Sequence, residues 1–138
     1  KGKSARFYSK ACELGAAKAC YNAAIISYKN ADKKNTFAFF AKSCDLGLGE
    51  GCLNAAVASY EEKDYQGALK FFLKSCDAAL AEGCQRVGLA YSKNEFGEPD
   101  LDKAMIYYDK ACKLGAKFSC NVVAAMNKIN ASEANATK

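Results

Sequence analysis

Eight cysteines are the residues of this sequence whose type and spacing most directly suggest chemistry. They form four pairs with seven residues between partners: Cys12 and Cys20, Cys44 and Cys52, Cys76 and Cys84, and Cys112 and Cys120. Cysteine can attack as a thiolate, bind a metal ion or form disulfides. The chain has no histidine, which excludes Ser-His-Asp and Cys-His catalytic groups and histidine-based metal sites.

The cysteine pairs mark an internal repeat. The first cysteines stand 32, 32 and 36 positions apart, and two aromatic residues precede each of them by five and four places: Phe7-Tyr8, Phe39-Phe40, Phe71-Phe72 and Tyr107-Tyr108. Small residues stand eight places before them: Ser4, Thr36, Ala68 and Ala104. These positions share one face of a helix, and a repeat of this length is typical of a helical solenoid.

The repeat predicts an all-α fold, an α/α superhelix (solenoid) of helix hairpins. Helix B ends at the first cysteine of a pair, and helix A starts near the second. Alanine, leucine and lysine are abundant and there is one proline, which favours helices. The predicted helices are near 3–14, 17–30, 35–46, 50–62, 65–79, 82–93, 100–114 and 117–130.

Residues 1–130 should form one repeat domain of about four repeats, beginning and ending on half-repeats, with 131–138 as a flexible polar tail. We interpret the chain as a mature or trimmed fragment. Glycines such as Gly15 and Gly47 can end helix B, but the third copy has Ala78-Ala79 where Leu-Gly would stand. Its helix should therefore run on by a turn or end under mild strain. Asp100 or Asp102 should cap the helix that follows.

The hairpins explain how the cysteines pair. A cysteine in the last turn of helix B and one in the first turn of the antiparallel helix A face each other, so we predict a disulfide within each pair. Free buried cysteines and a zinc site are the alternatives, although the spacing lacks the tight Cys-x-x-Cys chelate. Disulfides persist in the periplasm or outside the cell, so we expect a periplasmic or secreted protein.

The net charge of +5 comes from lysines spread along the helices without a basic cluster. We interpret this as a solvated surface and expect no nucleic-acid partner, no cofactor and no metal. No stretch approaches the roughly 18 apolar residues that a membrane span needs. The chain should be a monomer that binds a protein or peptide.

The third and fourth copies resemble the Sel-one-like repeat, a helical-hairpin relative of the tetratricopeptide repeat. The residues that carry the resemblance are Val87-Gly88-Leu89-Ala90-Tyr91, Gly97, Asp102-Lys103-Ala104, Tyr107-Tyr108, Lys110-Ala111-Cys112 and Leu114-Gly115. The cysteine pairs make the chain similar to the secreted Helicobacter cysteine-rich proteins. In the first two copies, the Leu-Gly of helix A is replaced by Ala-Ala.

The resemblance to the cysteine-rich group implies an alternative function, a weak penicillin-binding or β-lactamase-like hydrolase. A serine β-lactamase needs a Ser-x-x-Lys nucleophile and a Lys-Thr-Gly partner motif. No serine in this chain is followed three places on by lysine, and Lys-Thr-Gly does not occur. We therefore predict no catalytic residues, with an unrecognised lysine or tyrosine as the remaining route to hydrolysis.

Binding should take place on the A helices, which line the concave side of such a solenoid. Two places after the second cysteine stand Asn22, Asn54 and Arg86, which could bind an extended backbone or a carboxylate. The same helix face continues through Ile26, Ala58 and Ala90, and then Lys29, Glu61 and Lys93. The alternative is that these are simply solvated positions.

The end of the chain carries two N-glycosylation sequons, Asn130-Ala131-Ser132 and Asn135-Ala136-Thr137. Glu133 stands two places before Asn135, a pattern that resembles the acceptor of bacterial oligosaccharyltransferases. We therefore predict Asn135 and Asn130 as modification sites of an exported protein.

Overall fold

The structure is a computed structural model and describes residues 2–136. Its helices are α1 (Gly2–Glu13), α2 (Ala17–Lys29), α3 (Lys33–Asp45), α4 (Gly49–Glu61), α5 (Tyr65–Asp77), α6 (Ala81–Ser92), α7 (Leu101–Lys113) and α8 (Lys117–Ala136), with a 3₁₀ turn at Asn94–Phe96. The described residues contain no strand, so the all-α prediction is confirmed.

The helices form an α/α superhelix in which each one packs mainly on its neighbours in the sequence. Helices α1, α3, α5 and α7 are the predicted B helices, and α2, α4, α6 and α8 are the A helices. The most extensive contacts join α2 to α3, α4 to α5 and α6 to α7. Helices α2, α4 and α6 therefore pack on the B helix of the next hairpin as well as on that of their own.

The core forms where an aromatic ring of a B helix meets small residues of the preceding A helix. Phe40 packs in one cluster with Ala24 and Ala55, and Phe72 packs in another with Ala56. In the third case the ring of Tyr108 lies so close to Gly88 that a Cβ there would be 3.0 Å from it. The repeated aromatic pair and the repeated small pair are thus the two halves of one packing unit.

The turns within the hairpins follow the left-handed conformation expected at the end of a helix. Gly15, Gly47 and Gly115 have φ angles of 95°, 98° and 104°. In the third hairpin Ala79 takes this place with φ 65°, and α5 ends at Asp77. The third helix B therefore ends under mild backbone strain instead of running on.

The longer connection between α6 and α7 folds back over the preceding repeat. Phe96 stacks on Tyr60 with ring centroids 5.9 Å apart and meets Tyr65 edge-on at 5.6 Å. Asp100, and not Asp102, caps α7 by accepting a hydrogen bond from the backbone N–H of Lys103, 3.1 Å away.

Helix α8 continues past the predicted end at residue 130 and reaches Ala136. Residues 131–136 of this helix are exposed. Residues 117–136 are rich in alanine, which favours a helix, and the chain has no glycine or proline after Gly115 that would end it. Thr137 and Lys138 of the predicted tail lie outside the described residues.

Candidate partner-binding surface

The cysteines form disulfides within the four hairpins, so they supply no thiolate for catalysis. The structure joins Cys12 to Cys20, Cys44 to Cys52, Cys76 to Cys84 and Cys112 to Cys120, with Cα atoms 4.5, 4.4, 4.4 and 4.6 Å apart. These distances are shorter than the typical 5.5–6 Å or so. The helices approach closely because the residues beside the cysteines, such as Ser43 and Gly51, are small and buried.

The predicted polar positions on α2, α4 and α6 do not converge on one site. Asn22 is exposed, and Arg86 is exposed and pairs with Glu82, 3.3 Å away. Asn54 is half-buried and donates through its Nδ2 to the hydroxyl of Tyr21 at 3.2 Å and to the carbonyl of Glu50 at 3.0 Å. Asn54 therefore joins α4 to α2, whereas Asn22 and Arg86 face solvent.

A cavity of about 130 Å³ lies between α4 and α6, with Phe72 of α5 in its lining. It is lined by Val57, Tyr60, Phe72, Arg86, Leu89, Ala90, Lys93 and Phe96. Arg86, Ala90 and Lys93 are the three positions that the sequence placed on one face of α6, and here they come together. The lining combines apolar side chains with two cations, Arg86 and Lys93.

The 3₁₀ turn holds one wall of this cavity, which we call the α4–α6 cavity, in place. The hydroxyl of Tyr60 donates to Glu95 Oε1 at 2.9 Å, and this hydrogen bond to a carboxylate raises the pKa of Tyr60 above its usual value. Gln66 Nε2 donates to the carbonyl of Phe96 at 3.1 Å. The wall is thus formed before any ligand arrives, which lowers the cost of binding.

Phe96 was missed by the reasoning from sequence. It lies in the insertion that distinguishes the third connection from the shorter ones, so no other copy of the repeat has an equivalent. The signal that could have found it is a single aromatic residue in an otherwise polar turn.

A second, wider cavity of about 410 Å³ lies between α1, α2 and α3. Ile26 is the one member of the predicted face that lines it, beside Arg6, Asn30, Asp32 and others. The carboxylate of Asp32 is occupied in capping α3, because it accepts from the backbone and side-chain nitrogens of Asn35 at 3.1 and 2.7 Å. The Asp32 carboxylate in the lining of this cavity is therefore already used in the protein's own hydrogen bonds.

The remaining predicted features lie at the end of the chain. Asn130 and Asn135 are both exposed on α8, while Thr137 of the second sequon is outside the described residues. Among residues 2–136, no helix combines the length and apolar character that crossing a membrane requires. The same residues contain no group of His, Cys, Asp or Glu side chains placed to hold a metal ion.

Comparison with known proteins gives structural relatives only. No protein-family model matches the sequence, and no curated protein is significantly similar to it. The fold is similar to Helicobacter pylori cysteine rich protein B, with 26% identity, a TM-score of 0.66, and coverage of 88% of this chain and 92% of that one.

Two further solved structures show the same fold at lower identity. A Sel1 repeat protein from Oxalobacter formigenes is 20% identical with a TM-score of 0.77, covering 88% of this chain. A protective antigen of uropathogenic Escherichia coli with the SLR fold is 19% identical with a TM-score of 0.72, covering 86%. This chain spans 53% and 27% of their lengths. The repeats and hairpins, together with these similarities, support a relationship between this chain and the Sel1 repeat proteins and Helicobacter cysteine rich protein B.

Proposed function

We propose that this protein is an exported repeat scaffold that binds a protein or peptide along the concave face formed by its A helices. The observation that carries the proposal is the α4–α6 cavity. Three residues placed on one face of α6 by the repeat, Arg86, Ala90 and Lys93, line it together with Tyr60 and Phe96. A small apolar cavity with cations in its lining suits a side chain or terminus of a peptide.

The role of the disulfides in this proposal is to hold the helices that carry the surface. Each bond closes a short loop, and loop-closure entropy then stabilises a hairpin by about 2.5 kcal/mol. Such bonds persist outside a reducing cytosol, which supports export to the periplasm or beyond. Asn135 and Asn130 are proposed glycosylation sites of the exported protein, and the intact mass of protein from its native host tests this.

Hydrolysis is not supported by any arrangement of residues that the structure describes. The cysteines are paired, and the sequence contains neither Ser-x-x-Lys nor Lys-Thr-Gly. The scaffold function is therefore the one that we put forward, for a protein that we propose to be a monomer.

Replacement of Arg86 by alanine tests the proposal. Peptides are first selected on the wild-type protein from a random library displayed on phage, and their affinities are measured by fluorescence anisotropy. Arg86→Ala should weaken binding by about tenfold or more, since a hydrogen bond to a charged group contributes about 1.5–3 kcal/mol. The melting temperature should not change, because Arg86 is exposed and its pair with Glu82 contributes little.

Two controls make the result specific. Lys34→Ala removes an exposed cation from the B helix α3 and should leave affinity unchanged. Asn54→Ala should lower the melting temperature, since it breaks the contact with Tyr21. Equal affinity of wild type and Arg86→Ala for every selected peptide would refute binding at this face.

A further inference from the structure

The proposed binding face of the A helices is mostly polar on α2, α4 and α6 but apolar on α8. On α2, α4 and α6, four positions of this face are mostly polar or charged: Lys18, Asn22, Ile26 and Lys29; Glu50, Asn54, Ala58 and Glu61; Glu82, Arg86, Ala90 and Lys93. The equivalent positions of α8 are all large and apolar: Phe118, Val122, Met126 and Ile129. We call these four residues the α8 stripe.

The two ends of the α8 stripe are open to solvent. Phe118 is 53% exposed and Ile129 is 57% exposed, while Val122 and Met126 are half-buried. The buried side of the helix adjoins the stripe: Ser119 is fully buried and lies only about 20° from Met126 around the helix axis, since each residue turns the helix by about 100°. Large apolar side chains aligned and exposed on one face are a feature of interaction surfaces.

A further repeat stacked on α8 would not cover this stripe. In the earlier repeats the aromatic ring of the next B helix packs on Ala24, Ala56 or Gly88, and the equivalent residue of α8 is Ala124. Ala124 lies two residues from Val122, about 160° away around the helix axis, since each residue turns the helix by about 100°. The surface for another helix and the α8 stripe are therefore on nearly opposite sides.

Helices α6 and α8 are joined by one hydrogen bond next to Arg86 and Phe118. The hydroxyl of Ser119 donates to Oε1 of Gln85 at 3.0 Å, and these two residues directly adjoin Phe118 and Arg86 in the sequence. The α8 stripe and the cationic side of the α4–α6 cavity thus belong to neighbouring helices.

We propose that the α8 stripe, together with Arg86 and Lys93, docks a peptide segment of a partner protein that carries large apolar side chains next to acidic ones. The inference rests on the proposed function and names the class of ligand. The stripe supplies apolar area to bury, and Arg86 and Lys93 supply charge on the neighbouring helix.

Charge favours an acidic segment over a second copy of this chain. The net charge is +5, and the exposed Lys117 and Lys128 directly precede Phe118 and Ile129 of the stripe in the sequence. Glu133, one turn beyond Ile129, and Glu82, paired with Arg86, are the acids nearby. The Glu82 pair is exposed and easily displaced. Four side chains are also far fewer than the roughly 20–30 residues per side that a standard protein interface uses.

Phage selection with the same random library tests the ligand class. The selected peptides should be enriched in leucine, isoleucine or phenylalanine adjacent to aspartate or glutamate. Phe118→Ser/Ile129→Ser should weaken their binding at least tenfold without changing the melting temperature, because both side chains are exposed. Leu101→Ser, which removes an exposed leucine from α7, is the matched control and should have no effect.

The outcomes separate this inference from the proposed function. If Arg86→Ala weakens binding while the stripe variant binds normally, the ligand class is wrong and the scaffold function stands. If both variants bind normally, or no peptide is selected, both proposals fail. Enrichment of basic peptides, or a wild-type dimer that the stripe variant converts to monomer in sedimentation, would also overturn the inference.

Discussion

The closest approach between the two helices of a hairpin depends on matched small residues beside the cysteines. The Ser75 hydroxyl donates to the carbonyl of Phe72 at 2.8 Å, so it is fixed inside the hairpin. A Cβ on Gly83 would overlap this hydroxyl oxygen and lie 2.9 Å from the backbone nitrogen of Cys76. The equivalent pairs are Ala11 with Ala19, Ser43 with Gly51, and Ala111 with Ser119. A serine before the first cysteine is thus accompanied by glycine on the opposite helix.

We predict that Gly83→Ala lowers the free energy of unfolding by about 1–3 kcal/mol, because the added methyl group overpacks the hairpin. Ser75→Ala/Gly83→Ala should recover part of this loss, since it reproduces the Ala11–Ala19 pair of the first hairpin. Urea unfolding with the disulfides intact measures both variants together with Ser75→Ala. Additive losses in the double variant would show that the two positions are independent.

The left-handed residue that follows α5, Ala79, gives a prediction about how a helix ends. Ala79→Gly should stabilise the protein by up to about 1 kcal/mol, because relief of the left-handed strain exceeds the extra freedom that glycine gives the unfolded chain. Gly47→Ala is the reverse change at an equivalent turn with φ 98°, and it should destabilise by about 1 kcal/mol or more. Thermal unfolding measures the two variants, and shifts of the same sign would contradict this account.

Helix positions could be predicted from the sequence because each hairpin repeats the same markers. The cysteine pair, the aromatic pair and the following glycine placed the helix ends within about two residues, except at α8. Ala31 and Lys63 escaped prediction: they end A helices with φ 58° and 63°, although neither residue type favours that conformation. In both connections the next residue, Asp32 or Asp64, is the N-cap of the following helix.

Only part of the candidate site could be predicted from the sequence, because the prediction rested on the period of the repeat. The period of the repeat assigns residues to a face of one helix, which is why Arg86, Ala90 and Lys93 were grouped correctly. The period does not predict which residues of the neighbouring A helix contact these three residues. Asn54 meets Tyr21 across 33 positions of sequence, a contact that the period of the repeat does not predict.

At the scale of the whole molecule, the stack of helices is nearly one-dimensional. Helix α1 packs mainly on α2, whereas α5 and α6 have neighbours on both sides. The stability of such an array is close to a sum of local terms for each repeat and each interface between neighbours. A disulfide should therefore have different consequences at the end of the stack and in its middle, even though each closes a loop of the same length.

We predict that Cys12→Ser/Cys20→Ser increases amide hydrogen exchange in α1 and the start of α2 while α5 and α6 keep their protection. Cys76→Ser/Cys84→Ser should instead increase exchange from α4 through α7, because losing about 2.5 kcal/mol in a central hairpin also weakens the interfaces on either side. Hydrogen exchange with mass spectrometry measures both variants against the wild type. Uniform loss of protection in both variants would mean that the repeats unfold as one cooperative unit. The stiffness of the α4–α6 cavity would then depend on all four disulfides and not only on the disulfide of the hairpin that contains it.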